Sequence, residues 1–333
     1  MLEHGGRLRQ AASRYGIALS DWLDLSTGIN PNGWPVPALP AECWQRLPEE
    51  EDNLLPAARD YYQNPDFLAV AGSQAAIQTL PLLRSRSRVG FLHPAYAEHA
   101  HAWQKADHEL SAVEAENIEA RLDQLDVLII INPNNPTGLS WDRQQLLSWQ
   151  QRLAVRGGWL LVDEAFIDSR ADQSLTCLPA RPGLIVLRSI GKFFGLAGIR
   201  CGFVFAEPLL LRRLAELLGP WNISHPARHV AALALSDRDW RLACIENLNR
   251  QGLRLNRLLA ESGWPPDGGC DLFQWFKSAK SADLHDLLAR QGILTRLFTD
   301  PLSLRFGLPK DESDWRRLEL AMRHADIIAL RRL

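Results

Sequence analysis

Six short apolar runs between residues 67 and 205 restrict this chain more than any other feature. They are FLAV (67–70), VGFL (89–92), VLIII (127–131), WLLV (159–162), LIVL (184–187) and CGFVF (201–205). Each is too short for a helix, nearly all apolar, and separated from the next by a helix-length stretch. Runs of this kind read as strands buried on both faces, which predicts an α/β layered domain around a mostly parallel sheet. After about residue 220 the texture changes. A long helical region (226–262) leads to the short segments DLFQWF (271–276), GILTRLF (292–298) and LSLRFGL (302–308), and a final helix starts near Ser313. This predicts a smaller α+β domain. Residues 1–45 hold a short amphipathic helix at Leu8–Tyr15 and the Pro-rich stretch INPNGWPVPALP, an arm laid over other structure. The expected division is therefore 1–45 as an arm belonging to the small domain, 46–235 as the large domain, and 236–333 as the small one.

Bulk properties exclude several classes. The formal net charge of −2 leaves no basic excess for a nucleic-acid partner. No stretch approaches the roughly 20 apolar residues of a membrane span. Five scattered cysteines with no CxxC pair argue against a disulfide framework and a structural zinc site, so no metal is expected. The N-terminus lacks an apolar signal core, and the expected compartment is the cytoplasm.

The chemistry-bearing motifs all follow predicted strands, at the carboxyl ends where open α/β sheets bind ligands. Of 37 basic residues only five are lysines, yet one of them, Lys192, stands in the apolar, glycine-rich stretch RSIGKFFGLAGIRCG (188–202). It reads either as a loop lysine or as a desolvated amine able to form a Schiff base, which arginine cannot do. Asp163 ends WLLVD. A carboxylate there is an ion-pair or capping group, or the counter-charge that keeps a pyridoxal phosphate (PLP) ring nitrogen protonated. Gly72 and Ser73 open an apolar helix and suit a phosphate cradle, to which Arg200 and Ser189 add donors. Asn135, in NPNNPTG (132–138), is an ordinary turn residue or a donor to a ring hydroxyl. Tyr96, in HPAY, is a core aromatic or a ring-stacking one.

In this order and spacing, DEAF, NPNNPTG and S-x-x-K-x-F-G-L-A-G-I-R-x-G resemble the fold type I PLP enzymes of the class I/II aminotransferase group. The resemblance implies the PLP-dependent transferase fold type I. It implies cofactor attachment at Lys192, ring-nitrogen pairing by Asp163, ring-hydroxyl contact from Asn135 and stacking by Tyr96. Phosphate contacts are implied from Ser73, Gln74, Ser189 and Arg200. The usual active-site homodimer is expected as well.

Two branches of that group are nearest: the histidinol-phosphate aminotransferases and the threonine-phosphate decarboxylases of cobalamin biosynthesis. His4-Gly5-Gly6, LDLSTGINPNG (23–33) and DEAFID (163–168) resemble the second. That likeness implies decarboxylation of O-phospho-L-threonine to (R)-1-amino-2-propanol O-2-phosphate. It implies substrate contacts from His4, Gly5, Gly28 and Asn135, with Arg296 on the phosphate and Arg305 on the α-carboxylate. Two positions depart from the wider pattern: Phe166 replaces a frequent Tyr, and Leu47 stands where an Arg-Tyr-Pro tyrosine reaches the neighbouring subunit. A PLP-binding regulator would need a DNA-binding segment, and no basic helix-turn-helix is present. A dinucleotide enzyme would need GxGxxG after the first strand, where this chain has AGSQAA.

Overall fold

A computed structural model describes residues 4–330. The chain divides into two compact units. One comprises Gly33–Asn135 with Ser140–Ala243. The other is built from the residues up to Asn32, Pro136–Leu139 and Cys244 onward.

The first unit is built on a seven-stranded sheet in the order Phe67–Val70, Gly202–Phe205, Leu184–Ser189, Trp159–Asp163, Val127–Ile131, Arg88–Leu92 and Glu109–Val113. Only Gly202–Phe205 runs against its neighbours. All six expected strands are present. The seventh, Glu109–Val113, escaped the sequence reading because it is an edge strand with one fully buried residue, Val113, and so lacks the apolar signature. By contrast, every residue of Val127–Ile131 is buried. The core packs Ile77 and Leu80 from the helical segment after Phe67–Val70, and Trp103 from the next helix, against Val127, Ile129, Leu161, Ile185 and Leu187 of the sheet. Truncating any one of these buried Leu or Ile residues to Ala would cost about 2–5 kcal/mol.

Strand order places the switch point between Arg88–Leu92 and Val127–Ile131. The chain leaves the first of these toward Glu109–Val113 and the second toward Trp159–Asp163. In open α/β sheets, ligands bind beyond the carboxyl ends of the strands at such a point. The register sets Ile131 beside Asp163, Asp163 beside Leu187, and Ser189 beside Gly202, so the motif residues emerge at one edge.

The expected helical region 226–262 is two helices, His225–Ser236 and Arg238–Glu261. Asp237 breaks it. Its φ/ψ of −81°/84° is non-helical, and its carboxylate accepts the backbone N–H of Trp240 (3.0 Å) and the indole N–H of Trp34 (3.0 Å). It is thus the N-cap of the second helix.

The second unit carries a four-stranded antiparallel sheet ordered Arg296–Thr299, Leu302–Gly307, Phe273–Lys277 and Gly268–Cys270, with helices Ser281–Ala289 and Glu312–Leu330. The expected segment 292–298 is split at Thr295. Its first half, Ile293–Leu294, pairs in parallel with Leu23–Asp24, which fixes the N-terminal segment in this unit.

Candidate active site

Asp163 is 4 % exposed. Its Oδ2 lies 2.9 Å from Nε2 of His99, itself 2 % exposed, and its Oδ1 accepts the Ala165 N–H at 3.1 Å. A carboxylate only accepts, so Nε2 carries the proton. Nδ1 of His99 is buried and makes no hydrogen bond among the described residues. The sequence reading missed His99. Nothing in the sequence singled it out, since the helix Ala97–Lys105 carries a second histidine, His101.

Tyr96 precedes that helix. Its ring meets the His99 ring edge-on (6.3 Å, 82°), and its hydroxyl donates to Gln74 Oε1 at 3.3 Å. Gln74 Nε2 in turn donates to Glu98 (3.0 Å). Burial, with the negative charges of Glu98 and Asp163 nearby, pushes the Tyr96 phenol up to about 12, so it stays a neutral donor.

Three contacts set the turn that carries Asn135. The Asn132 N–H donates to the Asp163 carbonyl (2.9 Å), its side chain bonds the backbone of Trp141 in both directions, and Asn134 Nδ2 donates to the Pro94 carbonyl (2.9 Å). Asn135 follows, half-buried, at the edge where Asp163 and Tyr96 emerge.

Lys192 sits in the turn after Leu184–Ser189, its Nζ 5.5 Å from the centroid of the buried Phe166 ring. Aromatic packing holds this turn. Phe193 and Phe194 are buried, Phe194 stacks on Trp240 (5.5 Å, 16°), and the Phe194 carbonyl accepts the Trp34 N–H (2.8 Å). Ser189 Oγ accepts the Gly191 N–H at 3.2 Å.

Arg200 adopts φ 53° and ψ 63°, a left-handed conformation uncommon outside glycine. This brings its guanidinium onto Gly72, which precedes the helix Ser73–Thr79. A Cβ on Gly72 would stand 2.7 Å from Arg200 Nη2, and one on Gly202 would stand 2.8 Å from Ser73 N. Two glycines therefore clear space for a guanidinium against the start of a helix, a concentration of positive charge suited to a phosphate. Taken with a buried carboxylate at one end and an amine in an aromatic-walled turn, these residues fit PLP.

Beneath this edge lies a buried ionic network that the sequence reading also missed. Arg188 is 1 % exposed. It pairs with Asp168, donates to Ser174 Oγ (3.0 Å), lies 3.6 Å from Glu164, and covers the Tyr62 ring. Tyr61 donates to Asp168 at 2.8 Å. Burial pushes the Glu164 carboxyl up, with the Arg188 charge opposing it. The network ties the ends of the two strands that carry Asp163 and Ser189.

The other implied residues lie in the second unit. Arg296 and Arg305 face each other across paired strands, and both guanidinium groups lie over the Phe298 ring (5.1 and 5.9 Å). Arg305 is 6 % exposed and donates to the Ser26 carbonyl at 2.8 Å. Burial, then the adjacent Arg296 charge, pulls it down to about 10. Like charges directly opposite each other oppose folding. Gly5 packs on Ser26, and Gly28 is buried three residues beyond Leu25.

Comparison with known proteins agrees with this geometry. The family model for aminotransferase class I and II matches residues 54–306. The chain is 56 % identical to the threonine-phosphate decarboxylase of Pseudomonas aeruginosa over 97 % of both chains. It is 39 % identical to that of a Sinorhizobium species over 97 % of this chain and 98 % of the relative. The structure of histidinol-phosphate aminotransferase from Sinorhizobium meliloti, solved in complex with pyridoxal-5'-phosphate, superposes with a TM-score of 0.87 at 19 % identity, covering 98 % of this chain and 96 % of that one. By sequence over most of its length, and by fold, this chain belongs to the aminotransferase class I and II family.

Proposed function

We propose that this chain is a PLP-dependent decarboxylase of O-phospho-L-threonine, forming (R)-1-amino-2-propanol O-2-phosphate for cobalamin synthesis. The observation that carries the reading is the 56 % identity to a threonine-phosphate decarboxylase along 97 % of the chain, which takes in the N-terminal arm as well as the sheet unit. The Arg296–Arg305 pair supports it, because the substrate bears both a carboxylate and a phosphate.

Bound PLP supplies an electron sink conjugated with the substrate's Cα. Lys192 carries it through Nζ. Asp163, held by His99, keeps the ring nitrogen protonated. Ser73, Gln74, Ser189 and Arg200 hold the phosphate, Asn135 meets the ring hydroxyl and the substrate, and Tyr96 stacks on the ring. In the second unit, Arg305 takes the α-carboxylate, Arg296 the substrate phosphate, and His4, Gly5 and Gly28 cover them. Arg305 and Arg296 would hold the two anionic ends of the substrate and so set which bond at Cα is open to that electron sink, the one to the carboxylate, which would leave as CO2. Lys192 Nζ, or a water, would return a proton to Cα.

The reading includes a homodimer in the cytoplasm, with the large domain at 46–235 binding the cofactor and residues 1–45 and 236–333 forming the small one. Exposed Trp44 (69 %), Leu47 (62 %) and Trp221 (61 %) support association. Free thiols at all five cysteines suit a reducing compartment.

The test is to incubate PLP-loaded protein with O-phospho-L-threonine, without any 2-oxo acid, and measure CO2 and the phosphorylated amine. CO2 over many turnovers, abolished in Lys192→Ala, is expected. No CO2, with amino transfer from histidinol phosphate to 2-oxoglutarate, would assign the chain to the aminotransferases instead.

A further inference from the structure

We propose that Ser26 is a positioning residue for substrate recognition, latching the His4-Gly5-Gly6 turn onto the segment that orients Arg305. The inference rests on the reading of Arg305 and the arm as substrate-binding groups.

Ser26 is 2 % exposed and lies just past the strand Leu23–Asp24. The backbone around it is fixed from two sides: Leu25 N–H donates to the Leu294 carbonyl (2.8 Å), and Gly307 N–H donates to the Leu25 carbonyl (2.7 Å). On this footing every polar group of Ser26 is hydrogen-bonded. The hydroxyl donates to Asp24 Oδ1 (2.6 Å), a direction fixed because a carboxylate only accepts. Its lone pair accepts the Gly6 N–H at 2.7 Å. The Ser26 N–H also donates to Asp24 Oδ1 (2.9 Å), and the Ser26 carbonyl accepts from Arg305 Nη2 (2.8 Å).

The arm reaches the same carbonyl. A Cβ on Gly5 would stand 2.2 Å from Ser26 O and 2.9 Å from its carbonyl carbon, so the backbone of the arm lies directly on the group that Arg305 uses. Gly6, at φ +76°, turns its N–H back toward the hydroxyl. One residue thus joins the arm to a buried guanidinium: its oxygens meet the arm at two points and Arg305 at one. Displacing the turn removes a neighbour from the carbonyl that orients Arg305.

The test compares wild type with Ser26→Ala, which deletes the hydroxyl and keeps the carbonyl. The Gly6 amide is expected to exchange with solvent about tenfold faster, in proportion to one lost hydrogen bond. KM for O-phospho-L-threonine is expected to rise about tenfold with kcat changed less than about threefold, the split expected when binding is lost. PLP affinity, set in the other unit, stays the same. Asp24→Asn keeps an acceptor oxygen and is expected to behave as wild type. Gly5→Ala breaks the contact from the arm's side, and the double variant with Ser26→Ala is expected to be no worse than the weaker single one. Unchanged amide exchange in Ser26→Ala would overturn the latch whichever reaction the protein performs. Faster exchange with an unchanged KM would overturn the role in recognition. If wild type releases no CO2, the decarboxylase reading alone falls. The KM comparison then uses histidinol phosphate with 2-oxoglutarate, and equal values would end the positioning role too.

Discussion

His99 and Asp163 meet at 2.9 Å with both side chains buried, so the carboxylate at the end of Trp159–Asp163 is backed by an imidazole from a different element. That partner limits the desolvation cost of holding a charge at a strand end. Replacing His99 by Ala removes that imidazole and leaves the Ala165 N–H donating to Asp163 at 3.1 Å. PLP affinity is expected to fall about tenfold or more, the usual consequence of stranding a buried charged group. Fluorescence titration of the apo protein measures this, and an affinity equal to wild type would show that Asp163 needs no support from His99.

Gly72 is fixed by its neighbour and by its backbone. At φ +73°, with Arg200 Nη2 2.7 Å from the missing Cβ, Gly72→Ala must strain the turn and push the guanidinium away. The expected loss is about 1–2 kcal/mol of stability from strain at positive φ, together with weaker PLP binding. Gly198→Ala, where a Cβ meets nothing within 4 Å, is the control and should leave both unchanged. Equal behaviour of the two variants in thermal melts and PLP titrations would separate Gly72 from the phosphate site.

The Phe166 ring centroid lies 5.5 Å from Lys192 Nζ, at the position where the resemblance implies a frequent Tyr whose hydroxyl bonds the cofactor's ring oxygen. A donor to an ionised oxygen favours ionisation. Phe166→Tyr is therefore expected to lower the pH at which the holoenzyme's visible absorbance titrates. Superimposable titration curves for the two proteins would show that the hydroxyl does not reach that oxygen.

The strand ends were legible because Val127–Ile131 and its neighbours are buried on both faces and so appear as unbroken apolar runs, with Asp163, Asn135 and Lys192 immediately after them. His99 was not legible, since AEHAHAWQK offers two histidines and only the phase of the folded helix buries one of them and exposes His101. Arg188 was hidden for another reason. Its partners Asp168 and Ser174 come from an irregular segment without periodicity, so nothing in the sequence pairs them with a strand residue. The Arg296–Arg305 facing pair depends on register across a turn, which the spacing of the two residues allows without specifying.

That pair has a consequence for stability and pH. Burial, then the Arg296 charge, pulls Arg305 down to about 10 from its ordinary 12.5. The fold therefore binds this proton less tightly than the unfolded chain does. The charged group opposes folding by about 3 kcal/mol at all pH values below 10, at 1.36 kcal/mol per unit. The cost fades only as pH rises from about 10 to 12.5, so stability gains from this residue in that window. A carboxylate bound beside Arg305 would offset that cost at neutral pH. Arg305→Met is accordingly expected to keep or raise the melting temperature of the substrate-free protein while raising KM for O-phospho-L-threonine about a hundredfold, the loss of a charge-assisted pair. O-phospho-L-threonine should raise the melting temperature of wild type and not of the variant. A variant that melts several degrees lower would mean that Arg305 stabilises the fold itself, through partners such as Ser26, rather than being held there for an anion.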